Sequence, residues 1–195
     1  MIVRLMRMSK SWMVVLTVFC ISCGGETLPK PKAMLRLDYP TPIYVKAETP
    51  CLYTFEINKV AKLIPVNKRS KCWYNLEYSR LHAKLYVSYY PIDNNLDSLL
   101  RDAQNLTQEH VVKADGIAQK PYINEEQKVY GMFYEVSGNA ASQAQFYVTD
   151  SVNHFISGSA YFDVRPNYDS ILPAAQYLRN DIQHLMESIT WKTAK

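Results

Sequence analysis

The side chains of this 195-residue chain that could do covalent, metal or acid–base work are four cysteines, four histidines and a set of scattered carboxylates. A metal centre needs donors closely spaced on one element. His82, His110, His154 and His184 stand far apart, with no His-x-x-x-His and no Cys-x-x-Cys beyond the first 23 residues, so no metal site is expected. A serine nucleophile on a strained elbow would read Gly-x-Ser-x-Gly, which is absent, and Ser157-Gly158-Ser159 falls inside a predicted strand. The six glycines write neither a P-loop nor a dinucleotide fingerprint, so no cofactor is expected. Asp93, Asp97, Asp150, Asp163 and Asp169 could supply a general acid and base only if the fold gathered them; loop and cap roles account for them one by one. No catalytic residue is therefore assigned.

The cysteines carry more information. Residues 1–22 combine the bases Arg4, Arg7 and Lys10, an apolar run from Trp12 to Ile21, and then Ser22-Cys23-Gly24-Gly25. The run is shorter than the roughly 20 apolar residues of a spanning helix and has the length of a secretory leader. Ile21-Ser22-Cys23-Gly24 resembles a lipobox, with Cys23 the lipidated first residue of the mature chain, although Cys20 occupies the place usually held by Leu. Acyl chains contribute about 0.8 kcal/mol per buried CH₂, enough for several chains to hold a soluble domain at a membrane. Cys51 and Cys72 remain. An even pair in an exported chain favours a disulfide, stabilising by about 3 kcal/mol, over two unpaired buried thiols.

The net charge of +4 falls to +1 once Arg4, Arg7 and Lys10 leave with the leader, which argues against a nucleic-acid partner. Residues 23–33, with Lys30-Pro31-Lys32, read as a spacer, and residues 34–195 as one globular domain. Five of the ten prolines fall in residues 24–50, which should be extended. Period-two alternation marks strands at Tyr53, Phe55 and Ile57, at Tyr74, Leu76 and Tyr78, and at Ala83, Leu85, Val87 and Tyr89. Leu96, Leu99, Leu100, Ala103, Leu106 and Val111 then fall at helical spacing behind an Asn94 cap. Strands return at Val129–Val136, Gln143–Thr149 and Phe155–Phe162 with hairpin-length connections. A last helix carries the stripe Ile171, Ala175, Leu178, Ile182, Leu185 and Ile189, capped by Ser170 with Pro173 in its first turn. This order predicts an α+β domain: a mostly antiparallel sheet of six to seven strands with two helices packed on it, resembling in outline the Mog1/PsbP type of sandwich. Fifteen tyrosines stand out; Tyr86 and Tyr90 alternate against Tyr89 and, with Trp73, offer half-polar rings suited to a protein interface, or simply to covering the sheet.

Several runs, in one order, resemble the gliding motility lipoprotein GldD family of Bacteroidetes. They include Arg36-Leu37-Asp38-Tyr39-Pro40, Cys72-Trp73-Tyr74-Asn75-Leu76, His110-Val111-Val112-Lys113-Ala114-Asp115, Tyr130-Gly131-Met132-Phe133-Tyr134-Glu135, Gly138-Asn139-Ala140-Ala141-Ser142 and Thr149-Asp150-Ser151. The resemblance implies a membrane-anchored, non-enzymatic accessory of the gliding apparatus. Its partners would be other lipoproteins of that machinery and of type IX secretion. The second reading is a periplasmic small-ligand or cell-wall binding lipoprotein using a cleft between sheet and helix. With Glu26 the one acid near Cys23, a periplasm-facing anchor is expected, in the outer membrane rather than the inner. Asp150-Ser151-Val152 also resembles the O-glycosylation sites of exported Bacteroidetes proteins, making Ser151 a candidate acceptor.

Overall fold

A computed structural model describes residues 38–66, 72–109, 113–163 and 167–192. The leader, Cys23 and the spacer lie outside the described residues, as do His110 and Val111. In chain order the strands are β1 (Tyr44–Lys46), β2 (Tyr53–Thr54), β3 (Glu56–Asn58), β4 (Lys62–Pro65), β5 (Tyr74–Tyr78), β6 (Ala83–Pro91), β7 (Ala114–Asn124), β8 (Val129–Gly138), β9 (Ser142–Thr149), β10 (His154–Phe162) and β11 (Thr190–Trp191). Helix α1 spans Leu96–Gln108 and α2 spans Tyr168–Glu187. Seven strands form one sheet in the order β4-β5-β6-β10-β9-β8-β7, every pairing antiparallel, while β1-β3 and β2-β11 make two small ribbons. The α+β architecture with two helices on the sheet is as expected. Tyr53–Ile57 is extended too, but as parts of the two ribbons and not of the main sheet, and its burial does not alternate: Thr54 and Asn58 are buried while Ile57 is half-buried, because these short strands are packed on both sides.

Alternation gives the sheet two different faces. On β6 Ala83, Leu85 and Val87 are buried with Ala144, Phe146 and Val148 of β9 and with Ile156 and Ala160 of β10. Against this face lies α2, whose Leu178, Ile182 and Leu185 are about 1% exposed or less and join the same core. The opposite face carries Tyr86 and Tyr90 of β6, Gln145 and Tyr147 of β9, and Ser157 and Ser159 of β10, and α1 covers part of it. Burial there is thinner. Thr107 is the one fully buried residue of α1, and Leu106 is 37% exposed.

Both helices start one to three residues from their expected caps. Asn94 has a left-handed backbone (φ 52°), so Asn95 takes the cap position, its side-chain oxygen accepting from the Asp93 N–H at 2.9 Å. For α2 the cap is Asn167 and not Ser170. An early orphan donor of that helix, the Tyr168 N–H, is met at 2.9 Å by the side chain of Asn139 in the β8–β9 turn, a distant residue that substitutes for a local cap. Pro173 consequently sits inside the helix. That β8–β9 turn closes on Gly138, whose φ of 94° a side chain would strain.

One glycine in the sheet is held by contact and not by conformation. A Cβ at Gly131 of β8 would lie 2.1 Å from the Tyr147 carbonyl oxygen and 2.7 Å from Val148 Cγ1 on β9. Because the nearest atom is backbone, no rotamer change relieves the overlap. Gly131→Ala is expected to destabilise the domain by roughly 1–3 kcal/mol, read as a lower denaturant midpoint with an unchanged slope.

Candidate functional site

The face beneath α1 carries a row of aromatic rings, one from each successive element. Trp73, just before β5, meets Tyr90 of β6 edge-on at 5.3 Å; Tyr90 meets Phe155 of β10 at 6.4 Å; Phe155 stacks on Tyr147 of β9 at 5.7 Å and 10°; and Tyr147 meets Tyr134 of β8 at 6.4 Å. Register places them. Phe155 lies directly opposite Tyr90, Ser157 opposite Tyr147, and Gln145 opposite Tyr134, so the rings on β10, β9 and β8 fall on diagonal positions two residues apart. Diagonal neighbours across an antiparallel pair remain within reach of aromatic side chains. The indole N–H of Trp73 donates to the Tyr89 carbonyl at 2.7 Å, fixing the end of the row.

Between this row and α1 lies a cleft of about 160 Å³. Its walls combine ring faces with Ser157, Ser159, Thr107 and Gln145, and Asp102 is the one charged residue among those lining it. Gln145 is 3% exposed, and its Oε1 accepts from the Thr107 hydroxyl at 2.7 Å, which joins α1 to β9. Its amide nitrogen is buried without a partner. An unpaired buried donor costs about 1–3 kcal/mol, and such a group in a native fold calls for a role. Burial, with Tyr147 nearby, pushes the Tyr134 phenol up to about 12, so it stays a neutral hydroxyl at any physiological pH.

The three expected interface rings separate. Tyr90 forms a wall of the cleft and Trp73 the end of the row, whereas Tyr86, 42% exposed, pairs edge-on with Tyr161 at 5.7 Å. Ser151 sits in the β9–β10 turn with φ 66° and is exposed. The turn is built on Asp150, whose Oδ1 accepts from the N–H groups of Val152, Asn153 and His154 at 3.0, 2.8 and 2.8 Å. Burial alone would raise that carboxyl, but the three N–H donors and nearby His154 bring it below its ordinary value. Cys51 and Cys72 are joined as a disulfide with Cα atoms 5.6 Å apart, so the alternative of two free thiols falls.

A second cluster was not singled out in the sequence. Asp181 of α2, 2% exposed, accepts from Tyr44 Oη and Asn58 Nδ2, each at 2.8 Å, and from Tyr78. Tyr44 also stacks on His184 at 3.5 Å between centroids, and His184 Nε2 lies 2.8 Å from Glu56. The signal was present: an acid stands between Leu178 and Ile182, within the apolar stripe of α2. The cluster fastens β1 and β3 to α2 and is a structural fastening.

Among the described residues no three His, Cys, Asp or Glu side chains gather as a metal site, and no helix is long and apolar enough to cross a membrane. Fold and cleft define an α+β domain with one helix on each face of an antiparallel sheet, its thinly covered face floored by aromatic rings. The chain belongs to the gliding motility lipoprotein GldD family, whose model matches residues 24–191. No curated protein sequence matches it.

Proposed function

We propose that this protein is a lipid-anchored, non-catalytic accessory of the gliding motility machinery linked to type IX secretion, which binds or stabilises other envelope lipoproteins. The observation that carries this reading is the family match across residues 24–191. It is supported by the sequence of residues 1–22, which reads as a leader, by Cys23 after it, which we propose as the acceptor of the lipid, and by the spacer of residues 23–33. The anchor faces the periplasm and is placed in the outer membrane. Affinity capture from crosslinked envelopes should recover lipoproteins of the gliding or secretion machinery with the wild-type chain and lose them with Cys23→Ser, which should also leave the membrane fraction. Recovery of none of them, or unchanged fractionation of Cys23→Ser, overturns the reading. Ser151 is proposed as an O-glycan acceptor on the exposed turn; an intact mass without a sugar increment dismisses it.

The cleft favours a second reading, a periplasmic small-ligand or cell-wall binding lipoprotein, because its aromatic floor lies between helix and sheet as ligand sites commonly do. The two readings are compatible in one molecule, since the tether and the cleft use different parts of the chain.

A further inference from the structure

We infer that the cleft between α1 and the outer sheet face takes a single ring of a neutral saccharide. This deepens the ligand-binding reading, on which it rests. Three features select the ligand. The first is the pairing of ring faces with hydrogen-bonding groups: Tyr90 and Tyr147, both half-buried, offer apolar ring surface to the C–H face of a pyranose, and the fully buried Phe155 backs Tyr147. Ser157 and Tyr134 can meet its hydroxyls.

The second is Gln145. Its oxygen is engaged by Thr107 and its nitrogen has no partner, so the site holds a spare donor that an apolar ligand would leave unsatisfied and a sugar oxygen would satisfy. The third is charge. No Lys, Arg or His lines the cleft, whereas Asp102 lies at it, an arrangement that repels anions and accepts from adjacent hydroxyl pairs. Phosphorylated and carboxylated ligands are therefore disfavoured. At about 160 Å³ the space is below the ~300–1,000 Å³ of sites for drug-sized ligands, which limits it to one ring, free or at the end of a glycan.

A ligand of this size binds with a Kd on the order of millimolar. The test is titration of the full-length chain in detergent with glucose, galactose and N-acetylglucosamine, with indole and adenosine as controls, followed by NMR shifts. The expected result is saturable shifts at Tyr90, Gln145, Tyr147 and Ser157 with at least one sugar. Gln145→Leu should weaken them by roughly tenfold; it also takes the acceptor from the Thr107 hydroxyl and so lowers the thermal midpoint, and the weakening is read at a temperature where the variant is folded. Tyr147→Ala should abolish them. Binding of indole or adenosine without any sugar overturns the saccharide assignment and leaves the ligand-binding reading intact; no saturable shift with any probe overturns both. Gln145→Leu binding as tightly as wild type also overturns the inference.

Discussion

Asp181→Ala is expected to lower the stability of the domain by about 3 kcal/mol, because it strips the acceptor from Tyr44, Tyr78 and Asn58 at once. Asn58 keeps a contact to the Tyr177 hydroxyl at 2.9 Å, but Tyr78 is buried and has no comparable access to water. Asp181→Asn, which retains one acceptor oxygen, should lose about 1 kcal/mol. The two variants also differ from wild type in pH response. Burial raises the Asp181 carboxyl above its ordinary value, and the hydrogen bonds and His184 only partly reverse this. A carboxyl raised in the folded state binds its proton more tightly there than in the unfolded chain. Its contribution is most favourable at low pH and declines as pH rises from the ordinary carboxylate value through the raised one. Urea midpoints measured across that window should show the decline in wild type and not in Asp181→Asn; parallel profiles would show that the carboxyl is not raised.

Loss of the Cys51–Cys72 bridge is the second large effect. The bond closes a loop of 21 residues in separation, worth about 3 kcal/mol by chain entropy. For a domain of this size that corresponds to roughly 10 °C in thermal midpoint. Cys51→Ser/Cys72→Ser should melt lower by this amount, and wild type under reductant should melt with it. The bridge lies where ribbon and sheet meet: Cys51 stands two residues before β2, Cys72 two residues before β5, and Tyr53 Oη donates to the Cys72 carbonyl at 2.8 Å. Unfolding of the β2–β11 ribbon before the main sheet is therefore the expected course in the reduced protein. A wild type indifferent to reductant, with both thiols open to alkylation, would contradict the pairing.

What was legible in the sequence was local. The α2 stripe and the inward residues of β6 repeat with the period of their own backbone, so burial on one side leaves its mark residue by residue. Strand β7 left no such mark. It is a sheet edge, mostly exposed, and Gly116, Lys120 and Pro121 interrupt any alternation while blunting the edge against further pairing. The cleft was hidden for a different reason. Tyr90, Tyr134, Tyr147 and Phe155 meet only because β10 inserts between β6 and β9, a long-range order that no window of sequence displays. The displaced caps share this cause, since Asn139 reaches Tyr168 from another hairpin.

The ribbons join the two ends of the domain. Thr54 pairs with Thr190, and Tyr44 reaches Asp181 across 137 residues of sequence. Contacts of such separation slow folding towards milliseconds to seconds and cannot form until the last helix has been synthesised. A nascent chain halted before α2 has nothing over the apolar face built by Leu85, Phe146 and Ile156, so the burial that stabilises the sheet waits for the last helix.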